Sequence, residues 1–379
     1  MNRLVLLLLL FASPGYHASA QLLLRITGIP ASHEAGESIY VAGNFNGWQP
    51  NLPDYELKMG EDGNYHILLP FRDQPLEFKF TRGSWDSEEV DSSGNVITNR
   101  LVRMGHTEEE LVCRIAGWKD RDGIASPVNH SASAQVHIIS DSIFIESLGR
   151  YRRAWIYLPK GYAASDERYP VLYMHDGQNV FDAATSYSGE WGVDETIDGL
   201  NLPLIVVALD NGSEHRIDEY TPYQNAEYGG GEGAAYVDFL VEEFKPFIDA
   251  EYRTMPEAEH TGLMGSSLGS LITYYAALKH PNTFRKLGLF SSALWINYEQ
   301  IFAIGKENPL DPDTRIYLLV GGAEGPTMVP HTRELESLLQ SQGINGLKTV
   351  VDEDGRHHES FWKDYMEESL RWLYPELFE

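Results

Sequence analysis

Runs of apolar residues alternate with amphipathic stretches through the second half of the chain. Short continuous apolar runs predict strands that helices cover on both faces of a sheet. The predicted strands are Val136–Phe144, Arg153–Leu158, Pro170–Met174, Leu204–Leu209, His260–Met264, Lys286–Phe290, Arg315–Val320 and Lys348–Asp352. The predicted helices between and after them are Ala234–Ala250, Leu268–Leu278, His331–Ser341 and Ser360–Leu373. Strands that alternate with helices predict a mostly parallel α/β sheet over residues 135–379.

The helix predicted at Ala234–Ala250 carries its large apolar residues at helical intervals. Phe239, Leu240, Phe244 and Phe247 recur at this spacing. A stripe of this kind normally packs against the neighbouring sheet, because it places the apolar side chains on one face of the helix. We therefore expect all four side chains to lie in the hydrophobic core.

Residues 21–115 have a different pattern, in which short alternating runs are separated by turn-forming residues. In Leu76–Thr81, Phe78 and Phe80 share one face and Lys79 lies on the other. Short alternating strands with frequent turns predict a small all-β, immunoglobulin-like sandwich. Residues 116–134 have no sustained apolar periodicity and are rich in small, polar and turn residues, so we expect a linker there.

An apolar run at the N-terminus, Leu4–Ala12, is too short to cross a bilayer, which takes about 20 apolar residues. Arg3 precedes this run, and Ala18-Ser19-Ala20 follows it. A positive start, an apolar stretch and a site of small residues predict a secretory signal peptide over residues 1–20, cleaved after Ala20. The mature protein is then expected to be secreted or periplasmic, without a membrane span.

Charge and cysteine content narrow the classes of function. The 379 residues hold 29 Lys and Arg against 56 Asp and Glu, which gives a net charge of −27. Such a surface repels phosphate backbones, so nucleic acid is excluded as an expected partner. The single cysteine, Cys113, excludes an intramolecular disulfide and a cysteine-based metal site. We expect no metal ion and no organic cofactor.

The segment Gly265-Ser266-Ser267-Leu268-Gly269 follows a predicted strand and opens a predicted helix. It contains a G-x-S-x-G motif, whose serine lies on a sharp strand-to-helix turn with its hydroxyl raised above the sheet. Glycine is needed on both sides because the tight turn leaves no room for side chains. Ser267 is therefore the candidate nucleophile, and Ser266 is the poorer candidate because Met264 and Leu268 flank it.

A nucleophilic serine needs a base, and the base needs an orienting acid. In strand–turn–helix sites of this kind, the acid and then the histidine follow the serine in the chain. His357 is the preferred base and His358 is its alternative, because both lie in the loop between the last strand and the last helix. His175 precedes the nucleophile, so a structural hydrogen bond is expected for it instead.

The acid is expected to follow an intermediate strand of the sheet. Glu324 comes shortly after the strand Arg315–Val320, at the carboxyl end where active sites gather in open α/β sheets. It is therefore the preferred acid. Asp352 and Asp354 remain as alternatives, because they follow the last predicted strand.

Two backbone N–H groups are expected to hold the oxyanion that forms during attack on a carbonyl. The N–H of Leu268 lies at the start of the helix that follows Ser267, where helix N–H groups have no intrahelical partner. The N–H of Gln178 lies beside Gly177, in the loop after the strand Pro170–Met174. These two donors complete the predicted site.

On these residues, the second half of the chain resembles the putative-esterase family of α/β-hydrolases, which includes enterobactin-type siderophore esterases, feruloyl esterases and mycolyltransferases. The matching stretches are Arg153–Pro159, Tyr169–Tyr173, His175–Asn179, Arg216, Glu219–Pro222, Met264–Gly269 and Gly355–Trp362. The resemblance implies an α/β-hydrolase fold and a site made of Ser267 as nucleophile, Glu324 as acid, His357 as base, and the N–H groups of Gln178 and Leu268. The family's usual asparagine after the base is His358 in this chain.

The first domain resembles the glycogen- or starch-binding modules of AMP-activated kinase and branching enzymes. Val41–Trp48 matches their G-x-F-x-x-W turn, Glu77–Trp85 their aromatic strand pair, and Asn99-Arg100 their terminal asparagine position. The resemblance implies that Trp48 and Trp85 stack on sugar rings, while Lys79 and Asn99 hydrogen-bond sugar hydroxyls. The alternative is a packing module without sugar binding, in which Trp48 closes the sandwich core.

The chain is therefore expected to be a serine carboxylic-ester hydrolase that works through an acyl-enzyme. Its substrate is a small-molecule or polysaccharide ester, such as an acylated saccharide or a siderophore-like ester. Two alternatives stay open: an acyltransferase that passes the acyl group to a sugar, and a non-catalytic carbohydrate-binding protein. Product analysis with and without an acceptor sugar separates hydrolysis from transfer. Absence of fluorophosphonate labelling at Ser267 favours the binding protein.

Overall fold

The computed structural model describes residues 21–70, 75–103, 109–123, 130–187 and 189–378. The predicted signal peptide, residues 1–20, lies outside the described residues. The chain divides into two compact units, Met1–Ala125 and Ser126–Glu379. Among the residues described, no helix is both long enough and apolar enough to cross a membrane.

The first unit is built of short strands. They are β1 Gln21–Gly28, β2 Tyr40–Gly43, β3 Lys58–Met59, β4 Tyr65–Pro70, β5 Leu76–Thr81, β6 Glu89–Val90, β7 Arg100–Val102, β8 Glu109–Arg114 and β9 Gly117–Trp118, followed by the helix α1 Lys119–Asp122. One sheet has the order β3-β4-β1-β8, a second has the order β2-β5-β7, and β6 pairs with β9. Leu22 and Leu24 of the first sheet share one core with Phe78 and Phe80 of the second. Two sheets that enclose one core form the all-β sandwich that the alternating pattern predicts.

The boundary between the units, after Ala125, falls within the linker expected at residues 116–134, but the start of that segment belongs to the first unit. Trp118 is fully buried in the core of the first unit, and it lies opposite Glu89 in the β6–β9 pair. A strand of two residues is too short for any periodicity to show, which is why the pattern placed it in the linker. On the other side, the N–H of Ser133 donates to Asp194 Oδ2 at 2.7 Å, so this end of the segment is held by the second unit.

The second unit is built on one eight-stranded sheet. Its strands are β10 Val136–Ile145, β11 Arg150–Tyr157, β12 Val171–Met174, β13 Ile205–Leu209, β14 Thr261–Ser266, β15 Lys286–Phe290, β16 Arg315–Gly321 and β17 Gly346–Asp352. Their order is β10-β11-β13-β12-β14-β15-β16-β17. Strand β11 runs antiparallel to both of its neighbours, and every pair from β13 to β17 is parallel. The unit has the predicted α/β-hydrolase fold, and each predicted strand overlaps one of these eight.

Helices cover both faces of this sheet. They are α2 Val193–Leu200, α3 Arg216–Tyr220, α4 Gly233–Asp238, α5 Lys245–Glu251, α6 Leu268–Lys279, α7 Tyr298–Glu307, α8 Met328–Ser341, α9 Glu359–Asp364 and α10 Met366–Leu373. Val171 and Tyr173 of β12 pack into the core that contains α6, whereas Leu172 and Met174 pack into the core that contains α10. Strands buried on both faces are continuously apolar for this reason. Helices α2, α3 and α7 were not predicted, and the helix predicted at Ser360–Leu373 is divided into α9 and α10.

The helix predicted at Ala234–Ala250 is interrupted by a π-helical segment, Phe239–Phe244, between α4 and α5. The first three residues of the predicted apolar stripe are buried, but Phe247 is 43% exposed. A π-turn holds more residues than an α-turn, so it rotates the residues that follow it about the helix axis. The expectation that Phe247 lies in the core is therefore wrong.

Candidate active site

Ser267 lies between the end of β14 and the first residue of α6, with φ of +56° and ψ of −120°. This positive φ is unusual for a residue with a side chain and costs conformational energy. A Cβ added to Gly265 would lie 2.6 Å from the carbonyl carbon of Gly269, so the turn requires glycine there. Ser267 is partly exposed, whereas Ser266 is buried at the end of β14. The sharp turn of the motif is thus present, and Ser267 is the serine that it raises.

Glu324 and His357 are brought together at the carboxyl end of the sheet. Glu324 Oε2 lies 3.0 Å from His357 Nδ1. The Glu324 side chain is fully buried, and the His357 side chain is 40% exposed. A carboxylate only accepts hydrogen bonds, so Nδ1 of the neutral imidazole is the donor and Nε2 is left to accept a proton. This is the arrangement that a general base beside a serine requires.

Two further residues hold the Glu324 carboxylate. Ser291 Oγ donates to Glu324 Oε1 at 2.6 Å, and the N–H of Gly321 donates to the same oxygen at 2.9 Å. Trp362 Nε1 donates to Ser291 Oγ at 2.8 Å, and the Trp362 ring meets the His357 ring edge-to-face at 5.2 Å. Sequence reasoning missed the roles of Ser291 and Trp362. Trp362 ends one of the stretches quoted for the resemblance, whereas no motif or periodicity marks Ser291.

The alternative acids and base lie elsewhere. Asp352 Oδ2 accepts a hydrogen bond from the Tyr365 hydroxyl at 2.8 Å, and Asp354 is exposed. His358 is the N-cap of α9, where its Nδ1 accepts from the N–H of Ser360 at 3.1 Å. Each of these groups therefore has a local role at a turn or a helix end.

The two candidate oxyanion donors follow neighbouring parallel strands, β12 and β14. Gln178 belongs to the 3₁₀ turn Gly177–Asn179 after β12, and Leu268 is the first residue of α6. The N–H groups in the first turn of a helix have no intrahelical acceptor, so both are available to an anion. Asn211 donates its backbone N–H to Gln178 Oε1 at 3.2 Å and Thr185 Oγ1 donates to the carbonyl of Gln178 at 2.7 Å, so the donor loop is fixed on both sides.

The similarity to a known protein family covers most of the second unit. A family model described as "Putative esterase" matches residues 145–373, which is more than half of the chain. The chain belongs to the putative esterase family. The matched range contains every residue of the candidate site, from Gln178 to His357.

Relatives of this esterase include both uncharacterised and described proteins. It is 28% identical over 240 residues to the uncharacterized protein YbbA of Bacillus subtilis, covering 59% of this chain and 92% of that protein. It is 25% identical over 265 residues to an endo-1,4-beta-xylanase/feruloyl esterase of Xylanibacter ruminicola, covering 68% of this chain and 33% of that protein. The second relative is thus matched over a third of its length.

A solved structure extends the similarity beyond the second unit. The enterobactin esterase FES from Shigella flexneri, in the presence of enterobactin, aligns over 90% of this chain and 89% of its own, with a TM-score of 0.55. The sequence identity is 17%, so the likeness concerns the fold alone. A share of 90% exceeds the second unit, which takes up residues 126–379 of the 379.

An exposed aromatic pair includes a residue of the segment that hydrogen-bonds to the Ser267 turn. The N–H of Ala293 donates to the carbonyl of Ser267 at 3.1 Å, and Trp295 follows two residues later with 41% of its surface exposed. The Tyr228 ring meets the Trp295 ring edge-to-face at 5.4 Å. Asn225 Nδ2 donates to the carbonyl of Ile296 at 2.8 Å, which ties the loop of Tyr228 to the segment of Trp295. The segment that follows Ala293 therefore carries an anchored aromatic pair.

An ion pair between the partly exposed Arg216 and the buried Asp176 supports the loop that carries Gln178. Arg216 donates from Nε to Asp176 Oδ1 at 2.7 Å and from Nη2 to Asp176 Oδ2 at 2.8 Å. Burial alone would raise the pKa of Asp176, but the Arg216 guanidinium outweighs burial and holds this pKa below its ordinary value. His175 is buried with its Nδ1 2.9 Å from the Tyr236 hydroxyl, and burial lowers its pKa to about 4. His175 is therefore a neutral structural group at neutral pH.

One group of possible metal ligands is present among the described residues, away from these side chains. Asp238, Glu242 and His280 place their ligand atoms within 4.8 Å of one another. Lys279 Nζ already pairs with Asp238 Oδ1 at 2.6 Å, and His280 Nε2 lies 3.0 Å from the same oxygen. Residues of the Ser267 site take no part in this group.

In the first unit, the four predicted sugar-binding residues are not equivalent. Trp48 and Trp85 are both partly exposed, with ring centroids 6.3 Å apart and planes inclined by 43°. Asn99 is exposed. Lys79 differs from the other three, because its side chain is buried and its Nζ pairs at 2.8 Å with the buried carboxylate of Glu88. The Lys79 ammonium therefore offsets the charge of a carboxylate inside the sandwich, and its contact with a sugar stays a prediction.

Proposed function

We propose that this esterase hydrolyses carboxylic esters through an acyl-enzyme formed on Ser267. The observation that carries the proposal is the 3.0 Å contact between Glu324 and His357, in the same domain as a serine on a strained elbow. In the first step Ser267 Oγ attacks the ester carbonyl and His357 Nε2 takes its proton, while Glu324 stabilises the imidazolium. The oxyanion is held by the N–H groups of Leu268 and Gln178.

The second half of the reaction uses the same groups. His357 gives its proton to the departing alcohol, which leaves the acyl group on Ser267. A water molecule then attacks the acyl carbonyl while His357 takes one of its protons, and the returning proton regenerates the serine hydroxyl. The oxyanion donors act in both halves, because each passes through a tetrahedral intermediate.

We further propose that the acyl group is aromatic. Support comes from the exposed Trp295 ring, which meets the Tyr228 ring edge-to-face and lies two residues after Ala293, whose N–H donates to the carbonyl of Ser267. Aromatic rings favour offset or edge-to-face partners, so this pair offers a binding surface for a hydroxycinnamoyl or benzoyl group. The name of the Xylanibacter ruminicola relative, an endo-1,4-beta-xylanase/feruloyl esterase, points to the same class.

Trp295→Ala is expected to change the choice among acyl groups. For a feruloyl ester, kcat/KM should fall about fivefold to tenfold, because an aromatic contact of this kind is worth about 1–1.5 kcal/mol. For p-nitrophenyl acetate, which has no aromatic acyl group, it should change less than about twofold. Steady-state rates on the two esters measure the ratio, and Tyr151→Ala, another exposed aromatic of the second unit, is the control. Equal losses on both esters contradict an aromatic acyl site at Trp295.

A second function is proposed for the first unit, namely glucan binding through Trp48 and Trp85. The observation that favours it is that both indole rings are partly exposed and 6.3 Å apart, whereas the core of the unit contains Trp118 instead. Flat aromatic faces suit the C–H faces of sugar rings. This proposal is independent of the ester chemistry.

Affinity electrophoresis in gels that contain glycogen or soluble starch tests the second function. The parent protein is expected to be retarded, and Trp85→Ala is expected to migrate as it does in a gel without polysaccharide. Leu68→Ala, which alters an exposed apolar residue of the same unit, should be retarded like the parent. Free migration of the parent protein, or full retardation of Trp85→Ala, rules the sugar site out.

A further inference from the structure

Glu359 is a buried carboxyl beside the site that the proposed mechanism leaves unused. It is the first residue of α9, two residues after His357, and it is 8% exposed. Burying a carboxyl group costs free energy unless the protein supplies partners for it. Its contacts therefore bear on what it does for the neighbouring base.

The Glu359 side chain joins two loops of the candidate site. Asn179 Nδ2 donates to Glu359 Oε1 at 3.3 Å, and Asn179 is itself buried. Asn179 directly follows Gln178, and its own N–H donates to the carbonyl of Asp176 at 2.8 Å. The loop of the base and the loop of the oxyanion donor are thus linked through one hydrogen bond between side chains.

Three ionisable groups interact electrostatically with this carboxyl, each from a different part of the site: His357 from the base loop, Asp176 from the oxyanion loop and Arg216 from α3. Burial raises the pKa of Glu359 to about 7, and Asp176 acts in the same direction, while its own backbone N–H, His357 and Arg216 oppose the rise. Its charge therefore changes within the range of pH in which a histidine base works.

We propose that Glu359 is a positioning residue for hydrolysis, which fixes the Gln178 loop against the His357 loop and acts on the base through its charge. The inference rests on the proposed serine mechanism. The link to Asn179 holds the N–H of Gln178 where the oxyanion forms, and small displacements of such donors are costly. The ionised carboxylate favours the imidazolium that His357 becomes in the transition state.

Three single variants and one double variant separate the effect of the Glu359 charge from the effect of the link to Asn179. Glu359→Gln keeps an oxygen that accepts from Asn179 but removes the charge, whereas Asn179→Ala removes the link and keeps the charge. Glu359→Ala removes both. Glu251→Gln, an exposed glutamate at the end of α5, is the matched control. The measurements are kcat and kcat/KM from pH 5 to 9 on one aryl ester, with thermal unfolding to confirm that each variant is folded.

Glu359→Gln is expected to lower kcat about threefold at pH 8 with KM unchanged, and to move the acid limb of kcat/KM to lower pH. The limb moves down because a base without the nearby negative charge binds its proton less tightly. Asn179→Ala should lower kcat about tenfold or more without moving the limb. The double variant Glu359→Ala/Asn179→Ala should lose no more than Glu359→Ala alone, because the two residues act through one contact.

A pH profile and kcat of Glu359→Gln that coincide with those of the parent contradict the charge role. Losses that add up in the double variant contradict the link. Either result leaves the serine mechanism standing, provided that Ser267→Ala is inactive. An active Ser267→Ala variant overturns the serine mechanism itself, which is a different outcome in the same assay.

Discussion

Ser267→Ala is expected to reduce kcat for ester hydrolysis roughly ten-thousand-fold or more. The variant has no hydroxyl to form the acyl-enzyme, so only the oxyanion donors and substrate binding remain, and these account for a small residual rate in serine hydrolases. KM should change little, because Ser267 acts on the reacting carbonyl. The measurement is the initial rate on p-nitrophenyl acetate at enzyme concentrations high enough to detect the small residual rate.

Ser266→Ala is the matched control for this prediction. It removes the same atom one residue earlier, from a buried side chain at the end of β14. Its kcat should stay within about threefold of the parent. Loss of activity in Ser266→Ala together with a fully active Ser267→Ala would assign the nucleophile to Ser266 and contradict the elbow geometry.

Glu324→Gln is expected to reduce kcat by about a thousandfold to ten-thousand-fold with the fold intact. The amide oxygen can take the place of Oε1, where Ser291 and the N–H of Gly321 donate to it. The amide nitrogen then replaces Oε2 and donates to His357 Nδ1, which forces the proton of the neutral imidazole onto Nε2. An imidazole with its proton on Nε2 cannot accept the serine proton, and the equivalent change in a serine protease costs about ten-thousand-fold.

His357→Gln should match this loss, because it removes the base itself. The controls are two of the alternatives that sequence reasoning left open: Asp352→Asn and His358→Gln. Asp352 bonds to Tyr365 and His358 caps α9, so both are expected to change stability by about 1 kcal/mol and kcat by less than about tenfold. Unfolding in urea separates these stability changes from the catalytic ones.

A result in which Asp352→Asn is as inactive as His357→Gln, while Glu324→Gln stays active, contradicts Glu324 as the acid. A result in which His358→Gln is inactive and His357→Gln is active contradicts His357 as the base. The imidazole proton of His357 offers a second readout, since its NMR resonance near Glu324 should be lost or shifted in Glu324→Gln.

The eight-stranded sheet and the elbow are predictable from sequence because their signals are local. A strand covered on both faces must be apolar throughout, and Lys286–Phe290 was predicted with the bounds that the structure has. The elbow needs glycine at fixed distances from its serine, which leaves a short motif in the chain. Glu324 follows its strand closely enough for its place at the sheet edge to be inferred as well.

The residues that support the site have no local signal in the sequence. Trp362 and Ser291 are 71 positions apart, and Asn179 and Glu359 are 180 positions apart, so only folding brings each pair together. The exposure of Phe247 depends on a π-turn, which changes the period that a sequence pattern assumes. Lys79 lies within the alternating strand β5, and its burial depends on Glu88, which no periodicity connects with it.

Mapping of a fluorophosphonate adduct by mass spectrometry is the most direct test of the serine mechanism. The reagent reacts with activated serine hydroxyls, so it reports the nucleophile together with the base that activates it. We expect a single adduct, on the peptide that contains Ser267. Its formation should stop ester hydrolysis, and it should be absent from Ser267→Ala. Complete inactivation by an adduct on another residue, or undiminished hydrolysis after Ser267 is fully labelled, contradicts the serine mechanism.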